Sequence, residues 1–146
     1  MSYPMRTLLL AAMLTLAAGR AGAASDGVVG QWLNQDGAGK VAISPCHDAP
    51  ARICGAITWL KEPTEDGRPV HDLHNPNPSL RNRPVVGVLV IRDMKPDGPG
   101  RWTGGKLYDP ETGHSYDGKL RARGGKLDVT GCVAFFCQTQ VWTRAD

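Results

Sequence analysis

The stretch that decides the fold is RWTGGKLYDPETGHSYDGKLRARGGKLDVTGCV, residues 101–133. Two turn signals divide it: residues 109–113 read Asp-Pro-Glu-Thr-Gly, and Gly124-Gly125 suits a two-residue hairpin. Between the turns, small and apolar residues alternate with polar ones, as they do along half-buried strands. The stretch therefore predicts three consecutive antiparallel strands at 101–108, 114–123 and 126–133, with Gly104-Gly105 as a bulge or barrel corner.

Turn signals recur at similar spacing outward from this stretch, and signals for helices are nearly absent. They predict further strands at 28–34, 40–44, 53–61, 84–92 and 137–144. Eight strands in one domain fit an all-β fold, a single antiparallel eight-stranded barrel, because closure removes exposed sheet edges. An open β-sandwich is the alternative.

The connection over residues 62–83 is too long and too rich in proline for an ordinary hairpin loop. It leads into the 84–92 strand, whose valine-rich sequence is apolar on both faces. One face would fill the barrel and the other needs a cover. We expect Leu73 and Leu80 to anchor the connection over that face or across one barrel mouth, with Asp72 paired to Arg81 or Arg83.

The N-terminus has the pattern of a secretory signal peptide. Arg6 precedes an apolar core at 7–18, and Ala21-Gly22-Ala23 fits a cleavage site. The core is too short for a membrane span. We therefore predict a signal peptide at 1–23, a β-barrel domain at 24–146, a periplasmic location and no transmembrane segment in the mature chain. Removing Arg6 and Arg20 lowers the net charge from +3 to +1, and no basic face indicates nucleic-acid binding.

Four cysteines lie in the predicted mature chain. An even number of cysteines in an exported protein indicates disulfides, and four cysteines allow three pairings. Both sequence-local pairs flank predicted turns, which favours Cys46–Cys54 and Cys132–Cys137. Neither pair has the spacing of zinc ligands or of a redox-active Cys-x-x-Cys motif.

Two features resemble lipocalin-type barrels. Gly30-Gln31-Trp32 lies on the first predicted strand, where those barrels carry Gly-x-Trp, and Arg144 ends the last strand, where they carry an arginine. A guanidinium stacked on the Trp32 indole would close the barrel floor.

A second resemblance spans almost the whole predicted mature chain. The sequence is similar to the exported bacterial family catalogued as domain of unknown function 2147. That family implies a small periplasmic β-barrel without an assigned activity, and it supplies no site residues. The matching motifs are Gly30-Gln31-Trp32, Cys54-Gly55-Ala56-Ile57, Asp72-Leu73-His74-Asn75-Pro76, Arg81-Asn82-Arg83-Pro84, Gly87, Trp102-Thr103-Gly104-Gly105, Tyr108-Asp109-Pro110, Gly113, Tyr116, Gly131-Cys132 and Trp142-Thr143-Arg144.

The polar cluster of the long connection has two interpretations. Asp72, Asn75, Arg81 and Arg83 could form an anion clamp, because guanidinium forks bind carboxylates and phosphates well. They could instead satisfy the backbone of the loop itself, which is the interpretation we favour. Trp102, Tyr108 and Tyr116 could line a barrel mouth or pack in the core and rim. With the arginines, such aromatics would suit an amphiphile with an anionic head.

Other chemistries have little support. His71-x-x-His74 has a spacing that suits a helix, which the neighbouring prolines prevent, so we predict no metal and no cofactor. No nucleophile motif is present, so we predict a protein that is not an enzyme, with hydrolase or isomerase as the last choice. The leading hypothesis is a barrel that binds a small hydrophobic or amphipathic molecule. The alternative is a structural or interaction module of the cell envelope with a filled core. The sequence does not indicate an oligomeric state.

Overall fold

A computed structural model describes residues 27–146, which form a closed eight-stranded barrel and a small separate hairpin. The barrel order is β1–β10–β9–β8–β7–β6–β3–β2, and every neighbouring pair is antiparallel. The strands are β1 (Gly30–Leu33), β2 (Gly39–Pro45), β3 (Ile53–Leu60), β4 (Thr64–Glu65), β5 (Arg68–Pro69), β6 (Leu89–Pro96), β7 (Arg101–Asp109), β8 (His114–Arg123), β9 (Lys126–Val133) and β10 (Phe136–Arg144).

The barrel prediction is confirmed, and the open sandwich is wrong. The predicted signal peptide lies outside the described residues. Within residues 27–146, no helix has the length and hydropathy that a membrane-spanning helix requires. The β7–β8 register shifts between Thr103 and Gly105, at the predicted bulge. Gly104 has a φ of +73°, a backbone conformation that glycine adopts easily.

The predicted strand at 84–92 is misplaced. Its first half forms a turn, in which the Val88 amide donates to the Val85 carbonyl at 3.0 Å, and Gly87 has a φ of +101°. Val85 and Val88 are buried without belonging to a strand. The barrel strand β6 starts at Leu89 and continues to Pro96. A continuous apolar run carries no periodicity, so the sequence alone could not separate the turn from the strand.

The two ends of the barrel differ. One end, called here the closed end, carries the β2–β3, β6–β7 and β8–β9 turns and the start of β1. The completely buried Trp32 and Met94 lie in the core. A Cβ on Gly105 would overlap the Arg92 carbonyl oxygen and come within 2.6 Å of Met94 Sδ. Glycine at position 105 therefore gives the methionine its space, and large side chains fill the barrel there.

Arg144 and Trp32 secure the closed end. The two residues pair between β10 and β1, and the Arg144 guanidinium lies 4.2 Å from the centre of the Trp32 ring. Arg144 also donates to the backbone carbonyls of Gly27 and Val29. The Trp32 indole N–H donates to the Val28 carbonyl at 2.8 Å. The predicted stacking contact is present, and it ties the last strand to the segment that precedes the first.

The other end, called here the open end, carries the long connection between β3 and β6 and three hairpin turns. The long connection contains the β4–β5 hairpin and a short 3-10 helix at Pro78–Leu80. A bridge between His71 and Pro84 brings its two halves together. Leu73 lies at the barrel mouth but is 58% exposed, and Leu80 is half-buried, so neither residue is a buried apolar anchor. Val70, Val85 and Val88 supply the apolar contacts with the core instead, and the polar contacts described next add to them.

Candidate functional site

A large cavity occupies the half of the barrel next to the open end and opens to solvent there. Its volume is about 1090 Å³, at the upper limit of the range that small-molecule sites occupy. The wall is mainly apolar, and two glutamines on β10, Gln138 and Gln140, give it a polar strip. Inward-facing apolar side chains from several strands form the rest, including Val41, Ile57, Val90, Leu107, Val129 and Trp142. The barrel is therefore filled at the closed end and hollow at the open end.

The rim of the cavity is rich in carboxylates. Five acidic side chains line it: Asp36, Glu62, Glu65, Asp109 and Glu111. Lys61 is the sole lysine or arginine lining the cavity within residues 27–146, although the whole chain has 17 lysines and arginines. None of the five carboxylates forms a salt bridge in the described part of the chain. The lining of the cavity rim therefore carries more carboxylates than cations, although the chain has a net positive charge and Arg68 and Arg81 are exposed on the adjoining long connection.

Beside this cavity, Asp72 is the centre of a buried hydrogen-bond network. Its side chain is completely buried. Oδ1 accepts from the Tyr108 hydroxyl at 2.5 Å. Oδ2 accepts from Asn75 Nδ2 at 2.8 Å and from Arg83 Nε and Nη2 at 3.0 and 2.8 Å. Because Tyr108 belongs to β7, the network fastens the long connection to the barrel wall.

The network keeps Asp72 ionised and Tyr108 protonated. Burial by itself would raise the pKa of Asp72, but hydrogen bonds from Tyr108, Asn75 and Arg83 outweigh it and hold the pKa below 3.8. Burial, the hydrogen bond to Asp72 and the negative charge of Asp72 together raise the pKa of Tyr108 to about 12. At neutral pH the network is therefore a buried carboxylate held by a phenol, an amide and a guanidinium.

The residues of the predicted anion clamp bind one another and the backbone of the long connection. Arg83 binds Asp72, and Arg81 Nε donates to the Asn75 carbonyl at 2.8 Å. Asn75 Oδ1 accepts from the amide of Asn77 at 2.8 Å. None of Asp72, Asn75, Arg81 and Arg83 is among the described residues that line the cavity. The predicted pairing of Asp72 with Arg83 is present, and it satisfies the loop's own polar groups.

The three predicted aromatic residues do not come together. Tyr108 and Tyr116 line the cavity, and the Tyr108 hydroxyl is held by Asp72. Trp102 is buried near the closed end, beside the β6–β7 turn, and does not line the cavity. Trp102 and Tyr108 lie near opposite ends of β7 and therefore near opposite ends of the barrel, a separation that alternation along the strand does not reveal.

Both disulfides have the predicted pairing. Cys46 and Cys54 join across the β2–β3 turn, and Cys132 and Cys137 join across the β9–β10 turn. Within residues 27–146, one set of side chains lies close enough to share a metal ion, Cys46, Cys54 and Asp93. Its two sulfurs are bonded to each other, so they are unavailable as thiolate ligands.

Several residues of the cavity had no place in the sequence interpretation. Gln138, Gln140 and Trp142 alternate along the last strand, and that period of two could have identified them as one inward face. The rim carboxylates gave no comparable signal. They come from three separate connections that only the barrel brings together.

Comparisons with known proteins agree with this architecture. The family model described as "Uncharacterized protein conserved in bacteria (DUF2147)" matches residues 30–144. Among solved structures, the chain is similar to protein HP1028 from the human pathogen Helicobacter pylori, which belongs to the lipocalin family. The TM-score is 0.69 at 21% identity, over 81% of this chain and 82% of that one, a likeness that shows the fold. A search of curated proteins finds no match.

Proposed function

The chain belongs to the DUF2147 family, and from that premise we propose that it is an exported barrel that binds a small apolar or amphipathic molecule. The observation that carries the proposal is the cavity of about 1090 Å³ with its mainly apolar wall. An envelope module with a filled core would have no need of this space, because protein interiors are ordinarily close-packed.

Export rests on the sequence and on the cysteines. Residues 1–23 have the composition of a signal peptide, and both cysteine pairs form disulfides, which persist in oxidising compartments. We therefore propose a periplasmic protein whose mature barrel domain begins at Ala24.

The charge of the rim bears on the ligand's polar end. Aromatics combined with the Arg81 and Arg83 pair would favour an anionic head group, but neither arginine lines the cavity among the described residues. The rim offers five carboxylates and one ammonium instead. We propose that the ligand's apolar body lies in the barrel and that its polar end is neutral or positively charged.

Dye binding tests whether the cavity is the binding site. Gln138 faces the cavity from β10, opposite Gly131, which has no side chain to obstruct a larger residue. The substitution Gln138→Trp should obstruct part of the cavity and lower the fluorescence enhancement of the neutral dye N-phenyl-1-naphthylamine. Thr139→Trp is the matched control, because Thr139 lies on the outer face, where its hydroxyl contacts Thr130. Equal loss in both variants, or no dye binding by the wild type, would contradict the proposal.

Head-group preference is measured by displacing the same dye with decylamine and with decanoate, which share one chain length. We expect decylamine to displace the dye at the lower concentration, and the difference to shrink at high salt because four of the five rim carboxylates are exposed. Stronger displacement by decanoate would refute the charge preference and leave cavity binding intact. Native mass spectrometry of protein purified from periplasm would then identify a molecule that co-purifies with the barrel.

A further inference from the structure

The tip of the β9–β10 hairpin exposes an unusual amount of apolar surface. Phe135 is 100% exposed, Phe136 is 84% exposed and Val133 is 55% exposed. No charged residue occurs from Val129 to Thr143, so the whole outer part of the hairpin is uncharged. Large aromatic side chains that remain in water contribute nothing to the stability of the barrel, and exposed apolar groups of this kind commonly mark interaction sites.

The disulfide and the backbone of the hairpin keep these apolar side chains exposed. The Cys132–Cys137 disulfide joins the two strands just below the tip, and Phe136 pairs with Val133 in the β-ladder. Ala134 has a φ of +51°, which fixes a tight turn between them. A cross-linked hairpin of this length cannot fold back to bury Phe135 against the barrel.

The tip is also continuous with the cavity. Phe136 and Val133 both line the cavity while remaining exposed to solvent. An apolar molecule that crosses the open end beside this hairpin would pass from Phe135 over Phe136 to the inner wall. The aromatic pair therefore lies at the point where a ligand would leave or reach the barrel.

We propose that Phe135 and Phe136 dock the open end on a lipid surface of neutral net charge, so that an apolar ligand passes between bilayer and cavity. This inference rests on the proposed ligand-binding function. Two aromatic side chains supply at most about 150–250 Å² each, well below the roughly 800 Å² per partner of a standard protein interface. A protruding tip needs no complementary pocket in a fluid bilayer, where aromatic residues favour the interface.

The rim charge selects the kind of bilayer. Among the exposed charged residues of the long connection and of the β1–β2 and β7–β8 turns, carboxylates outnumber cations: Asp36, Glu62, Glu65, Asp66 and Glu111 against Lys61, Arg68 and Arg81. These carboxylates would be repelled by the phosphates of an anionic membrane, and salt would screen that repulsion. The uncharged hairpin tip has no charge to desolvate on entering the interface. A zwitterionic surface is therefore the favoured partner.

Vesicle flotation tests the inference with exported protein whose mass shows that the leader is absent. We expect the wild type to float with phosphatidylcholine vesicles, and to float less when a third of the lipid is phosphatidylglycerol. Phe135→Asp should lower the bound fraction at least fivefold, whereas Phe135→Trp should retain binding and show a blue-shifted emission with vesicles. Val29→Asp is the matched control, since Val29 is 38% exposed near the closed end.

Each outcome is decisive. Wild-type protein that stays unbound, or a Phe135→Asp variant that binds like wild type, overturns the docking role. If the wild type self-associates but does not bind vesicles, and Phe135→Asp abolishes the self-association, the docking role is wrong and the partner of the tip is a second copy of the chain. N-phenyl-1-naphthylamine binding by Phe135→Asp separates the two proposals, because Phe135 does not line the cavity among the described residues. Dye binding without docking rejects the inference alone, and absent dye binding rejects the proposed function.

Discussion

Asp72 illustrates how one polar residue can organise a long connection. A completely buried carboxylate is costly unless its partners replace the hydration it loses. Tyr108, Asn75 and Arg83 supply four hydrogen bonds to its two oxygens. The connection is thus attached to the barrel by a polar network, and the removal of any one partner should be expensive.

A double-mutant cycle tests this attachment. Arg83→Ala leaves Asp72 without its cationic partner and should lower the free energy of unfolding by about 2–4 kcal/mol. The Arg83 side chain is 31% exposed, which moderates the loss. Asp72→Asn should also destabilise, and the two changes together should show a coupling of about 1 kcal/mol or more, because both remove the same interaction. Urea unfolding measures all three variants.

The exposed Arg101 forms no salt bridge in the described residues, so Arg101→Ala is the control for that cycle. It should change stability by less than about 0.5 kcal/mol. Additive effects of the Asp72 and Arg83 changes would refute the attachment.

Alkaline unfolding tests the Tyr108 hydroxyl. Its folded-state pKa is raised from 10.0 to about 12, so its contribution to stability is complete below pH 10 and disappears as pH rises toward 12. The wild type should lose about 1 kcal/mol of unfolding free energy between pH 10 and 11 through this group, and Tyr108→Phe should lack that component. Tyr116→Phe should keep the alkaline loss, since its hydroxyl lies outside the Asp72 network; identical profiles for all three proteins would reject the assignment.

At the scale of elements, the long connection packs closely on the β7–β8 turn. Gly113 in that turn has a φ of +77°, and a Cβ there would overlap the carbonyl oxygen of His74. The turn therefore requires glycine both for its own backbone conformation and for the close approach of the connection. Together with the Asp72 network, this contact positions the wall that His71 and His74 add to the cavity.

Gly113→Ala should separate the connection from the turn. The backbone strain and the steric overlap together should lower the unfolding free energy by about 1–3 kcal/mol. Amide hydrogens over residues 71–83 should then exchange faster. Gly124→Ala is the control, because Gly124 has a φ of +58° and open space around its Cα. It should show the backbone cost without faster exchange in the connection. Unchanged exchange in Gly113→Ala would show that the contact does not hold the connection.

At the scale of the whole molecule, the two halves of the barrel interior differ in how they are filled. Trp32 and Met94 belong to its buried core, whereas the open end keeps its cavity, its carboxylates and its exposed aromatic tip. An eight-stranded barrel is just wide enough for side chains to fill it or for one small ligand to enter it. This barrel combines the two: side chains fill the half at the closed end, and the half at the open end has space for a small ligand.

The proposed export makes a prediction about the N-terminus of the protein. Protein recovered from the periplasm should begin at Ala24 and lack residues 1–23, because the leader has a signal-peptide composition and a small-residue cleavage site. Intact mass spectrometry before and after reduction should reveal two disulfides. Substituting Arg for Leu9 and Leu10 should block processing and leave the chain in the cytoplasm. Periplasmic accumulation of that variant, or wild-type protein that retains residues 1–23, would contradict the proposed export.

The sequence by itself determined the barrel, most of its strands and both disulfides, because these depend on local signals. The turn residues at 109–113 and 124–125 define hairpins from a few neighbouring positions. The cysteine pairs flank turns and close short loops. The contact of Trp32 with Arg144 was expected from the resemblance to lipocalin-type barrels, and the pairing of the first strand with the last brings the two residues together.

Only the tertiary structure decided where the site lies. The apolar run at 85–91 has no period, so the division between a turn at Val85–Val88 and strand β6 depends on long-range hydrogen bonds, such as that from the Val85 amide to Val70. Arg83 could face a ligand or Asp72, and the buried carboxylate decides that choice. The rim carboxylates and Phe135 come from connections that are distant in sequence. They meet because the strand order places the β1–β2, β7–β8 and β9–β10 turns and the long connection at the same end of the barrel.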